Sequence, residues 1–234
     1  MANSPFRYFK TSPEIIQLAV MMYVRFPLSL RNVEDLLHDR GIDVCHESVR
    51  LWVDRFGPMF ASKIWVRRAN FMRQVPQWRW HLDEVFVKIR GATHYLWRAV
   101  DHEGEVLENY VTKTRNKSAA LRFLRKAMKR YGAPRAIVTD RLRSYGAAIK
   151  DIGNVDRREV GRHLNNRAGN SHLPFRRRER AMSRFRRMSQ LQKFASIHAS
   201  LHNHFNLDRH INRRQTFKTK RDATLLEWRQ LLAA

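Results

Sequence analysis

The sequence predicts a chain of mixed class, α+β or α/β. Its front and its end are helical, and a sheet lies between them. Two observations predict this. Apolar residues recur at helical spacing from Ile15 to Phe56, as they do along the buried stripe of an amphipathic helix. From Trp78 the pattern switches to strict alternation, the period of a half-buried strand. A third observation bears on partners. Forty-six Lys and Arg face 21 Asp and Glu in 234 residues, a formal charge of +25. A folded chain this basic repels itself unless polyanions offset it.

Ser12-Pro13 opens the first helix, because Ser caps free amides and Pro at the first position has no amide to leave unpaired. Ile15, Ile16, Leu18, Ala19, Met22 and Tyr23 follow at helical spacing, and Phe26-Pro27 stops the run. Ser29 caps a second helix with Leu30, Val33, Leu36 and Leu37 on one face, closed by Gly41. A third helix is expected from about His46 to Phe56, with Val49, Trp52, Val53 and Phe56 inward. Three short helices with a tight last connection match a helix-turn-helix module, residues 1–57. An ordinary trihelical bundle is the competing reading, and the charge favours DNA. In a helix-turn-helix the early residues of the last helix reach base edges, which here makes His46 and Arg50 candidate DNA contacts. Residues 58–78 lose periodicity; they begin at Pro58, directly after Gly57, and carry Pro76, Arg67 and Arg68. They are expected to be a basic linker.

In WRWHLDEVFVKIR, Trp80, Leu82, Glu84, Phe86 and Lys88 share one face, and His81, Asp83, Val85, Val87 and Ile89 the other. Gly91 marks a turn; His94 to Val100 and Glu105 to Val111 continue an antiparallel meander. Ser118 to Tyr131 is an amphipathic helix ended by Gly132 and Pro134. Ala136 to Thr139 is a short buried strand with Asp140 at its end. A short helix with Tyr145, Ala148 and Ile149 follows, then a short strand near Val160 and a long basic C-terminal helix. This order of elements is the ribonuclease-H-like mixed-sheet arrangement, residues 79–234. In it a carboxylate of the first strand and one at the end of the fourth lie on adjacent strands and share divalent metal. Asp83 and Asp140 are therefore the candidate metal ligands, with Glu84 as the alternative to Asp83. Paired ions stabilise the attacking and leaving oxygens of an in-line phosphoryl transfer.

Arg176, Arg177, Arg178, Arg180, Arg184, Arg186 and Arg187 crowd into twelve residues, interleaved with Met182, Phe185 and Met188. They are expected to lie on phosphates while the apolar side packs. His198, His202, His204 and His210 match no zinc spacing and read as packing or DNA contacts. Cys45 is the only cysteine, so no disulfide within the chain is available and a reducing interior is expected. The longest apolar run, Ile15 to Val24, is too short for a bilayer, and the start MANSPFRYFK lacks a signal-like apolar region. The expected location is the cytoplasm.

The stretches PEIIQLAVMMYVRFPLSLRNVEDLL, WRWHLDEVFVKIRG, HYLWRAVDHEGEVLE, IVTDRLRSYGAA and LNNRAGNSHLPFRRRERAM resemble the bacterial insertion-sequence transposases of the insertion-sequence-six family. The likeness runs from Phe6 to the C-terminal EWRQLLAA. It implies a ribonuclease-H-like catalytic domain behind a helix-turn-helix, with an Asp, Asp, Glu triad. It also implies Mg2+ (or Mn2+) in a two-metal site, and binding of double-stranded DNA at terminal inverted repeats and at the target. It implies strand cleavage and transfer by a homodimer or higher multimer on DNA, nucleoid-associated in a bacterium. Residue by residue, the family's aspartates fall on Asp83 and Asp140, its downstream basic position falls on Arg176, and the Glu of its LNN-x-x-E pattern falls on Gly169. Asn166 and His172 lie three residues either side of Gly169 and share its helical face. Two readings follow: a transposase impaired by the missing carboxylate, or an inactive DNA-binding remnant or regulator of transposition. A general basic nucleic-acid binder is the third.

Overall fold

The structure, a computed structural model, describes residues 4–74, 79–161, 164–182, 185–207 and 212–232. Three helices come first: α1 (Pro13–Arg25), α2 (Leu30–His38) and α3 (His46–Gln74). The Ser29 hydroxyl accepts the Asn32 amide at 3.0 Å and the Asn32 side chain accepts the Ser29 amide at 2.9 Å. This reciprocal cap fixes the start of α2. Ser12 occupies the capping position of α1 without making a side-chain bond, so Pro13 alone sets that start.

The expected break after Phe56 is absent. α3 continues through Gly57-Pro58 to Gln74, so the segment expected as a linker is helical as far as that residue, and the boundary drawn at 57 falls inside α3. Two contacts explain why the helix survives. Proline has no N–H, so the carbonyl four residues earlier loses its helical donor. That carbonyl belongs to Asp54, and the Lys193 ammonium donates to it at 2.9 Å while pairing with the Asp54 carboxylate at 3.0 Å. Gly57 lets a neighbouring helix approach: a Cβ there would sit 3.2 Å from Ile197 Cδ1. Beyond the proline, Phe60, Ala61 and Ile64 are buried and give the helix its anchoring stripe.

The sheet follows: β1 (Arg79–Ile89), β2 (Ala92–Val100), β3 (Val106–Thr112), then α4 (Lys117–Tyr131), β4 (Ala136–Thr139), α5 (Arg143–Ile152) and β5 (Arg158–Val160). Strand order is β3-β2-β1-β4-β5. β1–β2 and β2–β3 pair antiparallel; β1–β4 and β4–β5 pair parallel. This is the ribonuclease-H-like arrangement expected from the element order. Arg90 and Gly91, both at positive φ (49° and 83°), make the two-residue loop between the paired Ile89 and Ala92. Positive φ at both positions is the type I′ geometry that matches strand twist.

Three helices complete the chain: α6 (Asn166–Ala181), α7 (Met188–Phe205) and α8 (Arg214–Gln230). The long basic helix expected at the end is thus several helices. The arginine run is split between the end of α6 and the connection before α7.

Two large apolar cores flank the sheet, and a small third one joins Val100 and Val106 to Ala168 and Ala199. One joins Trp80, Leu82, Trp97 and Ala99 to Phe123, Leu124, Tyr145 and Ile149 of α4 and α5. The other joins Val87, Ile89, Leu96 and Val111 of the opposite face to Phe175, Leu191, Phe194 and Ile197, and also to Ile16, Val33, Trp52 and Phe60 of the front helices. The front helices therefore share a core with the sheet. The C-terminal helix closes it: Trp228 stacks on Phe60 with ring centres 4.2 Å apart, and the Gln17 amide donates to the Arg229 carbonyl at 3.3 Å. Among the described residues no helix is long and apolar enough to cross a membrane.

Candidate metal centre and its basic surroundings

The register Leu82↔Thr139 between parallel β1 and β4 makes Asp83 and Asp140 the next pair along the two strands. One carboxylate oxygen from each of Asp83, Glu84 and Asp140 lies within 4.8 Å of the others. Among the described residues this is the one group of three such ligands so placed. Successive strand residues point to opposite faces, which separates the surroundings of Asp83 and Glu84. Glu84 is buried near Arg115, which pairs with it and stands 4.0 Å from Asp140 Oδ2. Asp83 faces α6. Asp140 Oδ1 accepts the Leu142 amide at 3.0 Å, which sets its carboxylate at the turn into α5.

Several bonds hold α6 against β1. The Asn165 side chain donates to the Leu82 carbonyl at 2.8 Å, one residue before Asp83. Arg98, opposite Asp83 in the β1–β2 register, is 1 % exposed; it donates to Asn109 Oδ1 at 2.9 Å and to the Ser171 carbonyl. Gly169 lies within this arrangement. A Cβ added there would meet only Asp83 Oδ2, at 4.0 Å, ordinary contact distance. His172, one turn later, is 3 % exposed with Nε2 3.6 Å from the same oxygen.

Burial dominates the electrostatics. It pushes Asp83 up to about 6, aided by the Asp140 charge and opposed by the Glu84 amide and by Arg115. It pushes Glu84 up to about 7, with Arg115 opposing and both aspartates adding. It lowers Arg98 to about 9 against the pull of Asp83. Carboxylates crowded this closely favour a bound hard cation, since oxygen donors suit such ions. The donor set therefore fits a divalent metal.

Of the other expected site residues, His46 Nδ1 lies 2.8 Å from Glu34 Oε2, and Arg50 pairs with Glu47 on the first turn of α3. Arg67 is exposed, whereas Arg68 pairs with Glu105. Arg177, Arg180, Arg186 and Arg187 are exposed. Arg176 is half-buried, donating to the Phe86 carbonyl and to Glu179, both at 2.6 Å. Arg178 departs from the expected phosphate contact: it is 1 % exposed, donates to the Tyr23 carbonyl and lies 4.1 Å above the Tyr23 ring. The side-chain period explains this, because consecutive helical residues face different ways and Arg178 falls on the α1 side of α6. Arg184 lies outside the described residues. Asn166 is exposed and lines a separate cleft with Arg79, His81 and His102, away from Asp83. Neither Glu159 nor Glu179 joins the carboxylate group of Asp83, Glu84 and Asp140; each is paired, with Arg79 and Arg176 respectively. Sequence reasoning missed Arg98 and Arg115. Arg98 is marked only by strand register, and Arg115 only by the basic Lys113–Lys117 stretch after β3.

Residues 77–208 match the family of DDE domains of IS240-type transposases. The chain belongs to this family. The resemblance read from the motifs thus rests on a match over more than half of the chain. Two transposases from Staphylococcus aureus are similar to this DDE protein. That of insertion sequence-like element IS431mec and that of insertion sequence element IS257 in transposon Tn4003 are each 32% identical over 147 residues. The chain spans 63% of the length of each of these relatives, and 63% of its own length is matched. Among solved structures, the HTLV-2 integrase catalytic core domain in complex with magnesium aligns with 14% identity over 60% of this chain and 92% of that one, at a TM-score of 0.41.

Proposed function

We propose that this DDE protein is the transposase of an insertion sequence, impaired at the chemical step by Gly169. The observation that carries the reading is the convergence within 4.8 Å of Asp83 and Glu84, midway along β1, and Asp140, just past the end of the adjacent β4, in a chain of this family. Asp83 and Asp140 would hold Mg2+ or Mn2+. When bound, such ions stabilise charge on the oxygens entering and leaving phosphorus. The transfer itself exchanges one phosphodiester for another: a 3′-hydroxyl oxygen bonds to phosphorus and gives its proton to solvent, while the resident 3′-oxygen leaves and takes a proton from solvent.

The chain's own residues supply the rest. Asn165 and Arg98 fix α6 over β1, which orients Asp83 towards position 169. Arg115 neutralises Glu84 and reaches Asp140. The exposed Arg177, Arg180, Arg186 and Arg187, with Arg67 and the α3 residues His46 and Arg50, offer phosphate and base contacts to double-stranded DNA. Terminal inverted repeats and a target are the expected DNA partners, engaged by a homodimer or higher multimer in a bacterial cytoplasm.

A second reading, an inactive DNA-binding remnant that regulates transposition, is favoured by the glycine itself. One experiment separates the two. Purified protein is mixed with DNA carrying both ends of the element in Mg2+ or Mn2+, and end joining is followed for the Gly form, Gly169→Glu and Asp83→Asn. Slow joining in the Gly form, faster with Gly169→Glu and none with Asp83→Asn, supports an impaired enzyme. Joining by Gly169→Glu alone supports the remnant. Absence of joining in all three, with end binding intact, overturns the metal-centre reading.

A further inference from the structure

His172 carries an observation that the three-carboxylate cluster does not absorb. Its imidazole is 3 % exposed, and neither ring nitrogen has a hydrogen-bond partner. A buried polar group without a partner is costly and calls for an explanation, of which a bound ion is one. Its Nε2 stands 3.6 Å from Asp83 Oδ2, too far for a hydrogen bond. Two ligand atoms about 2.1 Å from one ion at a tetrahedral angle stand about 3.4 Å apart, so the pair is within reach of a single cation after a small shift.

His172 also stands outside the mutually close set of Asp83, Glu84 and Asp140, so Asp83 is what the two groups share. Its position is fixed from both sides. Arg98 donates to the carbonyl of the preceding Ser171, and Phe175 one turn on is fully buried. Position 169, one turn earlier, offers no side chain to occupy the gap beside Asp83.

We propose that Asp83 and His172 form a second cation subsite of mixed oxygen and nitrogen character, which takes a borderline divalent ion such as Mn2+ or Co2+ in preference to Mg2+. Imidazole suits such ions, whereas Mg2+ prefers an all-oxygen shell. The inference rests on the reading of Asp83 as a metal ligand. It goes beyond that reading in assigning the glycine-bearing chain a different metal preference from a three-carboxylate site.

The test uses the full chain without DNA. Bound Mn2+ is examined by pulsed electron paramagnetic resonance for coupling to a nitrogen nucleus, and Mn2+ and Mg2+ affinities are measured by titration. The expected result is nitrogen coupling in the Gly form, its loss in His172→Gln with Mn2+ still bound, and loss of that signal in Asp83→Asn. Because His172→Gln disturbs a buried position, Gly169→Glu serves as a second variant. It leaves the imidazole in place and should narrow the preference for Mn2+ over Mg2+. Mn2+ bound without nitrogen coupling, coupling that persists in His172→Gln, or an unchanged preference in Gly169→Glu overturns the subsite while leaving the carboxylate centre standing. Failure to bind either ion overturns both.

Discussion

The Lys193 ammonium on α7 donates to the Asp54 carbonyl at 2.9 Å, replacing the amide that Pro58 withholds. The contact joins the front helices to the helix that backs the sheet. Lys193→Met is expected to destabilise the fold by about 1 kcal/mol, read as a shift in urea midpoint. Pro58→Ala restores the helical donor, so the loss from Lys193→Met should shrink in the double variant. Strict additivity of the two substitutions would reject the assigned role.

Arg178 and its exposed neighbours should separate cleanly. Replacing Arg177, Arg180, Arg186 and Arg187 by Ala is expected to leave stability nearly unchanged and to flatten the salt dependence of DNA binding. Each lost phosphate contact should lower the slope of log K against log salt by about 0.9. Arg178→Ala should instead cost about 2 kcal/mol of stability, since it strips the buried Tyr23 carbonyl of its donor. A slope unmoved by the quadruple variant would remove those arginines from the DNA surface.

Arg115 is expected to act as the internal counter-charge of the site. Arg115→Leu leaves Glu84, with its side chain 3 % exposed, without a cationic partner. The cation-free protein should lose about 1–2 kcal/mol, less than a fully buried pair would because Arg115 is partly exposed. Divalent cation should restore most of this, seen as a larger metal-induced rise in melting temperature than in the parent chain. Equal rises in both would show that Arg115 and the ion do not occupy the same electrostatic role.

Acid should unfold the α7 region first. Burial depresses His198 well below its usual range and His202 to about 4, with the Arg98 charge as the next cause for both. A base with a depressed folded pKa binds protons more weakly when folded. Its contribution is thus complete above about pH 6.5 and is lost as pH falls from there towards 4. For His202, partly exposed, the loss should be about 2 kcal/mol. Urea midpoints measured from pH 7.5 to 4.5 should fall along this window, and His198→Phe should flatten the fall. A pH-independent midpoint between 6.5 and 4.5 would contradict it.

The strands and their two acids were legible because period-two alternation survives in WRWHLDEVFVKIR and because Asp140 directly follows a short apolar run. Chain order alone then placed them on neighbouring strands. Gly57-Pro58 misled for a physical reason. Both residues weaken an isolated helix, and the compensating donor, Lys193, lies 139 residues from the Asp54 carbonyl it serves. The arginine run misled in the same manner: composition marked it as basic, but only tertiary packing decides that Arg178 turns inward onto Tyr23. Glu84 reads as the opposite face from Asp83, and the strand does place it there. What alternation could not reveal is that Asp140, beside both, draws the three carboxylates into one cluster.

Trp228 on Phe60 and Arg229 on Gln17 bind the last helix to the first. The front helices and the acidic strands are therefore welded into a single mechanical block. A reading frame interrupted shortly before Trp228 would not leave a smaller competent repressor behind. It would unseat the front helices together with the acidic strands, so late nonsense changes should cost the proposed DNA binding and the proposed strand transfer together.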